Sequence, residues 1–132
     1  MSRQDFESSL ILVKDIMTKA IISVPGKTTV FQVAKMMEQG GIGAVLVKKD
    51  NNLGGIVTDR DYATKIVCNN LPPDTSVEKI MSTPLITINF DATISAAAER
   101  MTTKKIRKLG VTDNGKIIGL ITSTDLVTQL SK

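Results

Sequence analysis

Two threonine–aspartate pairs with the same spacing are the residues of this sequence best suited to bind a polar ligand. Each pair lies in a Gly-apolar-apolar-Thr-x-x-Asp segment, once over residues 55–61 and once over residues 119–125. The apolar residues predict a strand that ends at the threonine, where a helix is expected to begin with free backbone N–H groups that suit an anion. An aspartate at this point also has the reach to accept two hydrogen bonds from a ribose diol, as acidic residues do in dinucleotide sites.

A purely structural role explains part of the same pattern. Thr58 and Thr122 are suited to cap a helix, and Asp61 and Asp125 would then complete a cap-like pair in the first helical turn, where negative charge is favourable. That role accounts for a threonine and an acid, but it does not require aspartate in place of glutamate. Both interpretations therefore stay open at each site.

The side chains that most hydrolytic and metal-dependent reactions need are missing. The sequence has 132 residues, no histidine and one cysteine, Cys68, so it offers no Ser-His-Asp or Cys-His arrangement, zinc site or intrachain disulfide. It also has no Gly-x-x-x-x-Gly-Lys-Ser/Thr loop. We therefore expect a protein that is not an enzyme and has no metal or catalytic cofactor. The cysteine content, with no signal-peptide pattern and no long apolar run, predicts a cytoplasmic protein without a membrane segment.

The net charge of +4 fits either a solvated surface or an anionic partner. The densest basic segment covers residues 104–108 and has no aromatic neighbour on which a base would stack. Nucleic-acid binding through this segment is thus an alternative function, and it would depend steeply on salt.

The two threonine–aspartate segments belong to a longer duplication with an offset of 64 residues. A Val-x-x-Ile-Met segment occurs at residues 13–17 and again at residues 77–81, and further identities keep the same register without a gap. We predict a tail over 1–9, a first repeat over 10–68, a linker over 69–76 that contains two prolines, and a second repeat over 77–132. A unit of about 60 residues is marginally stable alone, so the repeats are expected to fold together.

Each repeat shows the same order of predicted elements. A helical turn over the Val-x-x-Ile-Met segment, capped in the second copy by Ser76, is followed by a short strand over 20–24 or 85–88. An amphipathic helix comes next and ends in the first copy at Gly40-Gly41. Two strands then form a hairpin, 44–47 with 53–58 and 109–112 with 116–122, and the Asn114-Gly115 pair is a strong turn signal. A last helix follows Thr58 and Thr122.

In duplicate and in one register, the Val-x-x-Ile-Met and Gly-x-x-Thr-x-x-Asp segments resemble a tandem of CBS (cystathionine β-synthase) domains, also called a Bateman module. The resemblance covers about residues 10 to 132. It implies an α/β (α+β) fold of two β-α-β-β-α repeats packed sheet to sheet with pseudo-two-fold symmetry. It further implies a stand-alone regulatory module that binds adenosyl ligands (AMP, ADP, ATP or S-adenosylmethionine-like molecules) in two clefts between the repeats. Such a module is expected to pair into a homodimer and to act on a partner that the sequence does not identify. A ligand-free interaction module is the remaining alternative.

The resemblance also assigns residues to the two clefts. The first would use Thr58, Arg60 and Asp61 with Ser82, Ile86, Ile106 and Arg107. The second would use Thr122, Thr124 and Asp125 with Thr18, Ile22 and Ile42. The aspartates would hold the ribose hydroxyls, the isoleucines would sandwich the adenine ring, and threonine and basic side chains would face phosphate. Since Arg60 and Arg107 are replaced by Thr124 and Gly43 in the second cleft, we expect the first to bind the more highly phosphorylated ligand.

Overall fold

The computed structural model describes residues 10–132, which form six strands and several helices. The strands are β1 (Ser23–Pro25), β2 (Ala44–Lys49), β3 (Asn52–Thr58), β4 (Thr87–Asn89), β5 (Lys108–Asp113) and β6 (Lys116–Thr122). The helices are α1 (Val13–Ile16), α2 (Val30–Gly40), α3 (Asp59–Asp61), α4 (Ile94–Lys104) and α5 (Ser123–Leu130). Helix α3 continues as a wider π-type helix over Tyr62–Val67, and a 3₁₀ turn covers Val77–Lys79. Within residues 10–132, no helix has the length and apolar character needed to cross a membrane.

Two three-stranded sheets of identical topology confirm the predicted α+β repeat. In the orders β1-β2-β3 and β4-β5-β6, the first two strands of each sheet are parallel and the last two are antiparallel. The parallel step needs a crossover, and α2 and α4 provide it. The register is duplicated as well, because the ladder shifts between Val47 and Lys48 in one sheet and between Val111 and Thr112 in the other.

Both hairpins close with two residues. Asn114 and Gly115 form the predicted turn, both at positive φ. The first hairpin was expected to have a five-residue connection over 48–52, which is wrong: its strands run to Lys49 and from Asn52, and only Asp50 and Asn51 lie between them, at φ 54° and 69°. Asp and Asn tolerate this left-handed backbone, so the strands pair up to the turn.

Strands β1 and β4 start later than the sequence predicts. The expected ranges 20–24 and 85–88 are replaced by Ser23–Pro25 and Thr87–Asn89, which pair with the middle of β2 and of β5. The residues just before these strands form isolated backbone hydrogen bonds, such as the bond that Leu46 N–H donates to Ile22 O at 2.9 Å. Each predicted strand began too early, because the apolar residues start before the hydrogen-bonded ladder of the sheet does.

Of the four predicted capping positions, Thr122 and Gly41 are confirmed, whereas Thr58 and Ser76 accept no capping bond. Two further helix starts are capped by threonines that the sequence reasoning did not single out. Thr29 accepts a bond from Gln32 N–H and Thr93 accepts one from Ala96 N–H, each at 3.1 Å. Helix α2 ends at Gly41 in the left-handed conformation, as expected. The cap predicted at Ser76 is wrong, because this side chain accepts no capping bond from the 3₁₀ turn that follows it.

The chain divides into two compact units that differ from the sequence repeats. One unit is Ile22–Leu85, and the other combines the described residues up to Ile21 with Ile86–Lys132. The buried core of the first comprises Val24, Val30, Val33, Val45, Val47, Val57, Val77 and Ile80. The buried core of the second comprises Val13, Ile88, Ala97, Met101, Leu109, Val111 and Ile121. Each sheet thus buries the valine of a helical turn that precedes the other sheet in sequence.

Equivalent hydrogen bonds hold the two exchanged turns. Val13 N–H donates to Ala92 O, and Val77 N–H donates to Thr28 O, both at 2.8 Å. An ion pair lies beside each bond, with the charges reversed: Lys14 Nζ is 3.3 Å from Asp91 Oδ1, whereas Lys27 Nζ is 2.7 Å from Glu78 Oε1. The bond to Glu78 raises the pKa of Lys27, and the same bond lowers the pKa of Glu78.

The exchange also explains the glycine of the Gly-x-x-Thr-x-x-Asp segments. A Cβ atom added at Gly55 would overlap the side chain of Met81, and one added at Gly119 would lie 2.6 Å from the backbone oxygen of Thr18 and 3.1 Å from Met17 Sδ. Each methionine of a Val-x-x-Ile-Met segment therefore packs on the glycine of the other repeat. The two sequence motifs meet in pairs, and the close approach needs a residue without a side chain.

Candidate functional site

The carboxylate of Asp61 is the centre of the most connected polar cluster in the unit Ile22–Leu85. Asp61 is 5% exposed. Its Oδ2 accepts from the backbone N–H of Thr58 at 2.8 Å and from the Thr58 hydroxyl at 3.3 Å. Its Oδ1 accepts from the Ser82 hydroxyl at 3.2 Å and lies 2.9 Å from Lys65 Nζ. A carboxylate has about four acceptor positions, so the protein fills them all.

Two features of the backbone bring these side chains together. Strand β3 ends at Thr58, and the helix that starts there turns Asp61 back over the strand end. Ser82 arrives from the sequence of the second repeat, because Ile56 and Ser82 exchange both backbone hydrogen bonds, at 3.1 and 2.8 Å. The structure thus joins three predicted residues of the first cleft: Thr58, Asp61 and Ser82.

Lys65 is a member of this cluster that the sequence reasoning missed. Besides Asp61, its ammonium group donates to the backbone oxygen of Ile80 at 2.9 Å and to Ser82 Oγ at 3.3 Å. Three acceptors match the three N–H groups of an ammonium ion. The available signal was an acid and a base four residues apart on one helix face, a spacing at which side chains are neighbours.

The equivalent aspartate of the second repeat is less engaged. Asp125 Oδ2 accepts from Thr122 N–H at 2.9 Å, and Thr122 Oγ1 accepts from Asp125 N–H at 3.2 Å. Among residues 10–132, no other hydrogen bond or ion pair of the Asp125 carboxylate is found. Gln129 occupies the position that corresponds to Lys65. The capping role considered for these residues is therefore present, and no donor from residues 10–132 contacts Oδ1 of Asp125.

Thr18 stands where Ser82 stands in the first cluster. It exchanges backbone hydrogen bonds with Leu120, at 2.8 and 2.9 Å, as Ser82 does with Ile56. The side chain of Thr18 is exposed near the end of β6. Four residues predicted for the second cleft, Thr18, Thr122, Thr124 and Asp125, accordingly belong to one compact unit.

The remaining predicted residues belong in each case to the other compact unit. Ile86, Ile106 and Arg107 of the first cleft lie in the discontinuous unit, and Ile22 and Ile42 of the second cleft lie in Ile22–Leu85. Ile22 is 39% exposed, and Ile42, Ile86 and Ile106 are partly buried. Their approach to the aspartates stays a prediction.

The two arginines predicted to face phosphate are both exposed. Over the described part of the chain, neither Arg60 nor Arg107 takes part in an ion pair. Thr124, the counterpart of Arg60, is exposed as well. Gly43, the counterpart of Arg107, lies beside Asp59, whose N–H donates to Gly43 O at 3.3 Å. The two copies thus differ in charge at equivalent positions.

The cluster has no arrangement suited to a metal ion. In residues 10–132, no group of three or more acidic or cysteine side chains lies close enough to hold one. The charged partner of Asp61 is a lysine, and the other donors are hydroxyl and backbone N–H groups. A ligand hydroxyl group can therefore donate to the Asp61 carboxylate only by replacing one of these four donors.

Fold and site together define a duplicated module with a threonine–aspartate pair in each copy, and comparison with known families agrees. The family model of the CBS domain matches residues 13–67 and 72–132, which is most of the chain. This chain belongs to the CBS domain family and contains two CBS domains.

Among individual relatives, the CBS domain-containing protein YhcV of Bacillus subtilis is 32% identical over 120 residues, which are 90% of this chain and 86% of that protein. Protein MJ0450 of Methanocaldococcus jannaschii is 39% identical over 116 residues, and the chain spans only 62% of its length.

Two solved structures show the same architecture. A conserved protein of Pyrococcus horikoshii matches with a TM-score of 0.88 at 28% identity, over 94% of this chain and 95% of that one. The CBS domain pair of protein MJ0100, solved in complex with 5′-methylthioadenosine and S-adenosyl-L-methionine, matches with a TM-score of 0.81 at 27% identity, over 91% and 95%.

Proposed function

We propose that this chain is a non-catalytic sensor that binds adenosyl ligands, such as AMP, ADP, ATP or an S-adenosylmethionine-like molecule, between its two CBS domains. The observation that carries the proposal is the pair of aspartates, Asp61 and Asp125, each fixed by the backbone N–H of a threonine at a strand end. A carboxylate held in this way is preorganised to accept hydrogen bonds from a ribose diol. The complex of the MJ0100 domain pair with two adenosyl compounds supports the ligand class.

The two sites are proposed to prefer different ligands. Arg60 and Arg107 would add two guanidinium groups to the first cleft, and guanidinium groups suit phosphate oxygens. At the second, Thr124 and Gly43 bring no charge, and the carboxylate of Asp59 lies beside Gly43. The first cleft therefore prefers the more highly phosphorylated ligand, and the second prefers adenosine-like molecules.

Isothermal titration with single-site variants tests both statements. We expect Asp61→Ala to remove most of the affinity for ATP, and Asp125→Ala to remove mainly the affinity for 5′-methylthioadenosine. The arginine variants Arg60→Gln and Arg107→Gln should weaken ATP binding and leave 5′-methylthioadenosine binding unchanged. Equal losses of ATP affinity in the two aspartate variants would contradict the asymmetry.

A thermal-shift series with AMP, ADP, ATP, S-adenosylmethionine and NAD separates this function from the alternatives. Stabilisation by an adenosyl compound supports the sensor, because a ligand that binds only the folded state raises the unfolding temperature. No ligand response, together with RNA or DNA binding that falls steeply with salt, would instead support the basic segment 104–108 as a nucleic-acid surface. Neither response would indicate an interaction module without a ligand.

Signalling is proposed to follow from the placement of the ligand between the two domains. A ligand that binds one relative arrangement of the domains better than another shifts the population towards that arrangement. We further propose that the chain forms a homodimer, whose surface a regulated protein would contact. The molar mass in solution, measured with and without the stabilising ligand, tests the dimer.

A further inference from the structure

We propose that Lys65 is a specificity-determining residue that competes with the ribose diol for Asp61, so that neutral adenosyl ligands prefer the site of Asp125. This inference rests on the proposed function and deepens it. Its basis is the different engagement of the two aspartates inside their own units: all four acceptor positions of Asp61 are used, whereas one hydrogen bond to Asp125 is found among residues 10–132.

The competitor is held in place from two sides. Lys65 is four residues beyond Asp61 on the same helix, and its ammonium group is fixed by the backbone oxygen of Ile80 and by Ser82 Oγ in addition to the carboxylate. The Asp61 side chain is only 7% exposed, and Lys65 Nζ lies 2.9 Å from its Oδ1. A diol can bind there only after this charge-assisted hydrogen bond is broken.

The second repeat provides the natural counterexample. Its helix has the same register, but the residue four positions after Asp125 is Gln129, which brings no charge. A diol that reaches Asp125 Oδ1 displaces no cation of residues 10–132. A neutral ligand gains nothing from the lysine that it displaces. The phosphate groups of a phosphorylated ligand bind other cationic side chains of the protein, Arg60 among them. The lysine therefore selects against ligands that have the diol and lack phosphate.

The test measures binding of 5′-methylthioadenosine, with 2′-deoxyadenosine as a probe that lacks the diol. In an Asp125→Ala background, which leaves only the site of Asp61, we expect Lys65→Gln to tighten 5′-methylthioadenosine binding about five-fold and to leave 2′-deoxyadenosine unchanged. In an Asp61→Ala background, Gln129→Lys should weaken 5′-methylthioadenosine binding about as much. Lys35→Gln, which removes a positive charge elsewhere in the same unit, should change neither affinity.

Each outcome decides the proposal. Unchanged 5′-methylthioadenosine affinity in Lys65→Gln would overturn it while the adenosyl-sensor function stands. If Lys65→Gln does not fold, Gln129→Lys decides alone, and unchanged binding in that variant overturns the inference. Failure of the wild type and of every variant to bind any adenosyl compound would overturn the sensor function and the inference together.

Discussion

Tyr62 shows how one residue ties the site helix to the core of its unit. Its hydroxyl donates to the backbone oxygen of Val30 at 2.6 Å. Because Tyr62 directly follows Asp61, this bond links the first turn of helix α2 to the helical segment that contains Asp61. Burial, with a smaller effect of the Asp61 charge, raises the pKa of Tyr62 from 10.0 to about 12. The phenol is thus protonated and donating at pH values well below 12.

This pKa is directly measurable, because Tyr62 is the only tyrosine and the sequence has no tryptophan. We expect the ultraviolet absorbance of tyrosinate to titrate near 12 in the native protein and near 10 in denaturant. Because the pKa of the folded state is the higher one, this contribution to the free energy of unfolding is complete below pH 10 and is lost as the pH rises towards 12. A native midpoint near 10 would show that the phenol is not buried, and Tyr62→Phe should abolish the signal.

At the scale of elements, the equivalent ends of helices α2 and α4 can be compared, because they share a backbone conformation and differ in the residue that adopts it. Both end in the left-handed conformation, but the residue there is Gly41 in one helix and Lys105 in the other, with φ of 63° and 56°. A side chain in this conformation costs about 1 kcal/mol, which glycine avoids. We expect Lys105→Gly to raise the free energy of unfolding by about 1 kcal/mol in urea denaturation. Gly41→Lys should lower it by a similar amount; a neutral effect of both would contradict the assigned conformation.

The contacts between the two motifs yield a second prediction for elements. Gly55→Ala should destabilise the protein by about 1–3 kcal/mol through overlap with Met81, and Met81→Ala should relieve part of that cost in the double variant. Gly119→Ala should destabilise too, but Met17→Ala should not relieve it, because the nearest atom there is the backbone oxygen of Thr18. Additive effects in the first pair would show that Gly55 and Met81 do not touch.

The elements themselves were largely predictable, because the duplication allowed each copy to support the other. The strands of the second hairpin, the end of helix α2 and the Asn114-Gly115 turn follow from periodicity and from residues with special backbone preferences. The starts of β1 and β4 were not predictable, since pairing partners and not apolar character decide where a strand begins. Lys65 was missed because its role depends on Ser82 and Ile80, which reach the site from a distant part of the sequence.

For the whole molecule, the charge-reversed ion pairs select the exchanged arrangement of the helical turns. In the arrangement observed, Lys14 meets Asp91 and Lys27 meets Glu78. If each turn packed on the sheet of its own repeat, the equivalent positions would bring Lys14 to Lys27 and Glu78 to Asp91. Like charges would then face each other twice, which adds a repulsive element against the unexchanged arrangement.

A charge-exchange experiment tests this selection. We expect Lys27→Glu to lower the unfolding temperature, because two carboxylates then meet, and Lys27→Glu with Glu78→Lys to restore it. The difference should shrink at high salt, which screens exposed charges. It should also fade at acidic pH: the pKa of Glu78 is lowered in the folded protein, so its contribution is present above its unfolded-state pKa and is lost as the pH falls. Lys19→Glu serves as the control, because Lys19 is exposed and takes part in no ion pair among residues 10–132.

The exchange of helical turns also sets an order of events at the ribosome. Val13 is synthesised early, but its core partners Leu109, Val111 and Ile121 come roughly 100 residues later, which at about 5–20 residues per second is a delay of about 5–20 s. The unit Ile22–Leu85 is continuous and is complete once Leu85 has emerged. The inner unit therefore has all of its core residues first, whereas Val13 lacks its core partners until Ile121 has emerged.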